Sequence, residues 1–97
     1  MSVYLIIDIA ILDQDVYGEF VARVSAVVEQ YGGHFLVRGG EVFPVAGDWL
    51  PKRIVIVEFE NPEQVQEFYA SPEYLALASL REQSANTRAI IVEGYEP

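Results

Sequence analysis

VYLIIDIAIL, residues 3–12, reads as a β-strand that needs cover on both of its sides, and the architecture follows from that. β-Branched residues dominate the run and Asp13 closes it. Strand alternation sets Val3, Leu5, Ile7, Ile9 and Ile11 on one side and Tyr4, Ile6, Asp8 and Ala10 on the other. Neither side is plainly polar, as a solvated sheet face would be. Asp8 in the middle and the absence of a basic flank argue against a secretion signal.

Helix comes next. Apolar positions at Val16, Phe20, Val24, Val27, Val28 and Tyr31 have the three-and-four spacing of one helix face. Asp13 or Asp15 can cap its start, and Gly32 with Gly33 can end it. HFLVR (residues 34–38) and KRIVIVEFE (residues 52–60) are further strands. NPEQ at residues 61–64 has the grammar of a helix start, with Asn as cap, Pro at the first helical position and Gln three residues after the cap. SPEY at residues 71–74 repeats it, so the second helical region breaks and restarts there before running to about Ala85. RAIIVEGY, residues 88–95, is the last strand.

The order β-α-β-β-α-β predicts one α+β domain over residues 1–97, a ferredoxin-like sandwich with two helical regions on one face of a four-stranded antiparallel sheet. The spatial strand order in that topology is fourth, first, third, second. In the third strand Arg53, Val55, Val57 and Phe59 oppose Ile54, Ile56, Glu58 and Glu60; in the fourth, Ile90 and Val92 oppose Ala89, Ile91 and Glu93. Two helical regions cover only one face. A second copy of the same sheet is the cheapest cover for the other, so a homodimer through the sheet face is expected.

Composition narrows the function. With 52% hydrophobic and 22% charged residues the chain folds into one core. Its net charge of −9 repels phosphate backbones and anionic membranes, so neither nucleic acid nor membrane is an expected partner. No cysteine is present and histidine occurs once, which leaves no thiol chemistry and no basis for a metal site or a cofactor. No run approaches a membrane span, and a cytoplasmic protein is expected.

The few charges inside the strands carry the chemistry. Asp8, Glu58 and Glu93 fall at similar depth on neighbouring strands, with Arg38, Arg53, Arg81 and Arg88 as available partners. One reading is a polar pocket in which arginine holds an anionic or carbonyl oxygen while His34 or Glu58 moves a proton. The other is a set of ion pairs that fix strand register. By alternation His34, Leu36 and Arg38 share one side of their strand. The long connection over residues 39–51 carries Phe43, Val45, Trp49 and Leu50, the cargo of a lid or of an arm gripping a partner. Tyr74, Ala78 and Arg81 line one helical stripe.

YGGHFLVRGG, GDWLPKRIVIVEFEN, FYASPEYLALASLR and IIVEGY, in that order, resemble the uncharacterised dimeric α+β barrel family catalogued as domain of unknown function thirteen-thirty. The resemblance implies a ferredoxin-like fold that dimerises by packing sheets together. It places recurrent polar positions at Arg38, Arg53, Glu58, Ser71, Tyr74, Arg81 and Glu93. The wider superfamily includes cofactor-free oxygenases, haem-handling enzymes, isomerases of small aromatic acids and proteins without known activity.

Together these readings describe a small homodimer binding a small organic acid or carbonyl compound between sheet and helices. Arg38, Glu58 and His34 are the candidate catalytic groups. Arg53, Ser71, Tyr74, Arg81 and Trp49 are the candidate ligand contacts. Proton transfer or cofactor-independent oxygen chemistry fits this set better than hydrolysis. The alternative is a non-catalytic dimeric module that sequesters a metabolite or docks a partner protein.

Overall fold

The structure, a computed structural model, describes residues 2–96. Its elements are β1 (Val3–Ile11), α1 (Gln14–Gln30), β2 (His34–Arg38), β3 (Arg53–Phe59), α2 (Pro62–Ala70), α3 (Pro72–Leu75), α4 (Ala78–Ser84) and β4 (Ala85–Glu93). All strand pairs are antiparallel and the sheet order is β2-β3-β1-β4, the order the element sequence predicts. Among the described residues no helix is long and apolar enough to cross a membrane.

Local chemistry sets the helix ends. Asp13 Oδ1 accepts from Val16 N at 3.0 Å, so α1 starts two residues before Val16. Gly32, at φ +86, lets the chain leave the helix. Asn61 caps α2 through Gln64 N at 2.9 Å. Ser71 acts twice: its hydroxyl donates to Phe68 O at 2.7 Å and accepts from Tyr74 N at 3.0 Å, closing α2 and opening α3. A further break at Ala76 and Leu77 separates α3 from α4. β4 begins three residues before Arg88, because Ala85, Asn86 and Thr87 already pair with Ile11, Ala10 and Ile9.

Register sorts the strand residues by face. Val3, Leu5 and Ile9 of β1 join Val55, Val57 and Phe59 of β3 in the core, against Val24, Val27 and Val28 of α1 and Val65 and Phe68 of α2. The opposite face carries Tyr4, Ile6 and Asp8 with Ile54, Ile56 and Glu58, all half-buried. Within this chain β1 is therefore more deeply buried on its helix side than on its outer side. Among the described residues no second layer covers that outer face, where Ile90 and Val92 are 61% and 44% exposed.

β2 departs from simple alternation. His34 pairs with Glu58 and Phe35 with Val57, but Val37 pairs with Ile56 and Arg38 with Val55. Leu36 is the extra residue of a β-bulge. His34, Leu36 and Arg38 accordingly do not share a side. His34 lies on the outer face with Glu58, and Arg38 lies on the helix face with Val55.

Gly33 sits where α1 meets β3: a Cβ there would come within 2.7 Å of Val28 and 2.9 Å of both Phe59 and Val57. Gly33→Ala is expected to overpack the core and cost about 1–3 kcal/mol, read as a lowered urea midpoint with unchanged slope.

Candidate functional site

Between the helix face of the sheet and the helices lies a cleft of about 1050 Å³. Its floor includes Ile7, Ile9 and Val55, and Phe20, Val21 and Val24 of α1 wall it on one side. Three arginines line it, Arg38, Arg53 and Arg81, half of the six basic residues in the chain. Among the described residues no carboxylate lines the cleft, although the chain has fifteen.

Each arginine is held by neutral groups. Arg38 reaches the cleft because the bulge turns it there; its guanidinium donates to the Ser25 hydroxyl and stacks 4.4 Å from the Phe35 ring centroid. Arg53 Nε donates to Tyr17 Oη at 3.0 Å, and its guanidinium lies 5.2 Å from that ring's centroid. Gly39, at φ +77, makes room for it: a Cβ there would fall 2.2 Å from the Arg53 guanidinium carbon. Arg81 Nη1 donates to Thr87 Oγ1 at 3.0 Å. Its one acidic neighbour, exposed Glu82, stands 3.9 Å away, an ion pair worth little in water. Among the described residues Arg38 and Arg53 form no ion pair.

Tyr69 and Tyr74 complete the wall near Arg81, their rings 5.1 Å apart and both packed on Phe68. Burial pushes the Tyr69 phenol from 10.0 up to about 12, and it raises Tyr74 as well; the Arg81 charge opposes both shifts. At neutral pH both phenols keep their protons and serve as donors.

Several sequence-predicted residues lie elsewhere, and the site is corrected accordingly. Glu58 and His34 face away from the cleft on the outer side of the sheet, because their register positions oppose Val57 and Phe35. His34 borders a separate shallow hollow with Glu29 and Gly33, which Arg38 also edges. Ser71 is buried as a helix cap. Trp49 does not reach the cleft; its Nε1 donates to Asp8 Oδ2 at 3.3 Å, on the outer face. Asp8, Glu58 and Glu93 form no cluster, since Glu93 pairs with Val3 on the helix face while the other two point outward. Of these acids only Asp8 is ion-paired among the described residues, with Arg88 at 2.7 Å. That hydrogen bond, aided by Trp49, lowers the Asp8 pKa against the effect of burial.

Tyr17, Ser25, Tyr69 and Thr87 line the cleft without having been singled out. A signal for two of them existed: Tyr17, Val21 and Ser25 recur at four residues, a stripe beside the apolar one of α1. Among the described residues no three His, Asp or Glu side chains assemble as a metal site.

The sequence matches the family described as Domain of unknown function (DUF1330) over residues 2–95. The chain belongs to that family. No curated protein matches this DUF1330 chain by sequence. Its fold is similar to that of RPA0582, a protein of unknown function from Rhodopseudomonas palustris. The TM-score is 0.81 at 16% identity, covering 99% of this chain and 84% of that one. It is also similar to SnoaB, a cofactor-independent oxygenase from Streptomyces nogalater, with a TM-score of 0.72 at 14% identity, covering 99% of this chain and 95% of that one. At such identities the likeness establishes a shared ferredoxin-like fold and nothing finer.

The Tyr69 proton has a stability consequence. The folded protein keeps it to higher pH than the unfolded chain, so this contribution is full below pH 10 and lost as pH rises towards about 12. Absorbance titration of tyrosinate should show a late step near pH 12 that Tyr69→Phe removes, and the variant should lose stability less steeply across that window.

Proposed function

We propose that the protein binds a small organic anion, a carboxylate or the enolate form of a carbonyl compound, in the cleft between sheet and helices. The observation that carries this reading is three arginines and, among the described residues, no lining carboxylate in a largely apolar cleft of an acidic protein. Guanidinium groups stay charged at any relevant pH, and half-buried Arg53, which has no ion pair among the described residues, is stabilised by an anion brought in from solution. Arg38 and Arg53 hold the charged oxygen, Tyr74 closes the cleft on the Arg81 side, and the apolar floor takes the body of the ligand.

Such a site can also change reactivity. Fixed cations beside a carbonyl oxygen stabilise an enolate more than its neutral parent, which makes the adjacent C–H more acidic. Neither His34 nor Glu58 faces the cleft, so the proton would pass to water. Oxygen addition to such a stabilised carbanion is the chemistry this arrangement favours, in keeping with the description of SnoaB as a cofactor-independent oxygenase.

The outer sheet face supports a homodimer. Ile6, Ile54 and Ile56 lie at its centre, with Ile90 and Val92 towards one edge and Val37 towards the other. A second copy related by a two-fold axis would bury this apolar surface. A dimer without turnover, serving sequestration or partner docking, shares this face and differs only at the cleft.

Two measurements test the reading. Arg38→Gln and Arg53→Gln are each expected to weaken binding of 1-naphthoate, followed by its fluorescence, by roughly 10–100-fold, the loss of a charge-assisted hydrogen bond. Both variants should sediment like the unaltered protein. Ile56→Glu, on the opposite face, is expected to sediment as a monomer; an unaltered protein that is itself monomeric at micromolar concentration would remove the dimer.

A further inference from the structure

The three cleft arginines are not one cluster. Arg53, Ile9 and Thr87 are register partners across β3, β1 and β4, so they form one row on the helix face. Arg81 is fastened to Thr87 at the β4 end of that row. At the other end Arg53 leans under Gly39, next to β2, where Arg38 also enters. Adjacent strands lie about 4.8 Å apart, so the backbone positions of Arg53 and Arg38 stand two and three strand spacings from that of Thr87, roughly 10–14 Å. Between them the floor is Ile7, Ile9 and Val55, with Phe20 and Val21 beside it. Both poles are cationic, and among the described residues neither has an acidic neighbour lining the cleft.

Resting on the anion-binding reading above, we infer that the ligand is two-headed: an organic dianion whose acidic groups flank an apolar middle. Arg38 and Arg53 take one head and Arg81 takes the other. A single acid would leave one pole of the cleft uncompensated, whereas a dianion satisfies both and keeps its apolar segment over isoleucine and valine. The Arg81–Thr87 hydrogen bond is a positioning device, since it sets the distance at which the second head is met. The two phenols beside Arg81, Tyr69 and Tyr74, add donors at that pole only. The geometry therefore selects ligands by length as well as by charge.

Titration calorimetry with the α,ω-dicarboxylates from succinate to sebacate, each paired with the monocarboxylate of equal carbon number, tests this. One intermediate dicarboxylate is expected to bind best, roughly tenfold or more tighter than its monocarboxylate. Arg81→Gln should erase that advantage, bringing each dicarboxylate down to the affinity of its monocarboxylate in the same variant. Thr87→Val, which keeps every charge, should flatten the length optimum, and it serves as the second variant where Arg81→Gln disturbs the fold by circular dichroism. If mono- and dicarboxylates bind alike and affinity simply rises with chain length, the two-headed ligand is wrong while the anion site stands. If no member of either series binds at millimolar concentration, both readings fail together.

Discussion

The pairing of β2 with β3 slips by one residue at Leu36, and the character of the cleft depends on that slip. Without it Arg38 would follow His34 and Leu36 to the outer face, and the helix face of β2 would end in apolar side chains. With it, Arg38 arrives beside Val55, one residue ahead of the positive-φ Gly39 that makes space for the Arg53 guanidinium. A bulge of this kind twists and re-aims the edge of a sheet. Here it brings two arginines from adjacent strands to one end of a cavity while Phe35 and Tyr17 supply the aromatic faces against which they lie.

Charge is partitioned across the sheet. On the helix face, inside the cleft, the ionic groups are cations held by a hydroxyl, a phenol and a threonine. On the outer face Asp8 is gripped by Arg88 and by Trp49 from the long connection before β3. That connection therefore reports on the outer face and not on the cleft: its aromatic anchor ties down the side of the sheet that lacks a layer of its own. The two sets of polar contacts share no residue, so a change at one need not disturb the other.

Both features suit the fold that this chain shares with RPA0582 and SnoaB. A ferredoxin-like sandwich with one bare apolar sheet face has a natural surface for self-association, and the space between sheet and helices is left for a ligand. What individualises a member is the set of side chains that the register turns into that space. Here the set includes guanidinium, phenol, hydroxyl and amide groups and, among the described residues, no carboxylate, which is why the chemistry points to an anion.

Much of this was legible in the residues. The sheet order follows from the order of the elements, while strand and helix positions, the Asn61 cap, Asp13 as one of two candidate caps and the restart at Ser71 follow from local rules that operate over three or four residues. So does the two-sided apolar pattern of β1, since alternation along one strand needs no partner to be read. Arg38, Arg53, Tyr74 and Arg81 could be singled out as uncommon charges and phenols on otherwise apolar elements, but not assigned a common cavity. The bulge left no mark: HFLVR alternates acceptably in either register, and only pairing with β3 shows that Leu36 is extra. Alternation along the third strand already set Glu58 on the side opposite to Arg53; the separation of His34 from Arg38 needed the pairing with β3. Sequence alone settled the elements and their order, because propensity and capping are local. The face on which each ionic side chain stands belongs to the packed sheet, because register is fixed by partners distant in the chain.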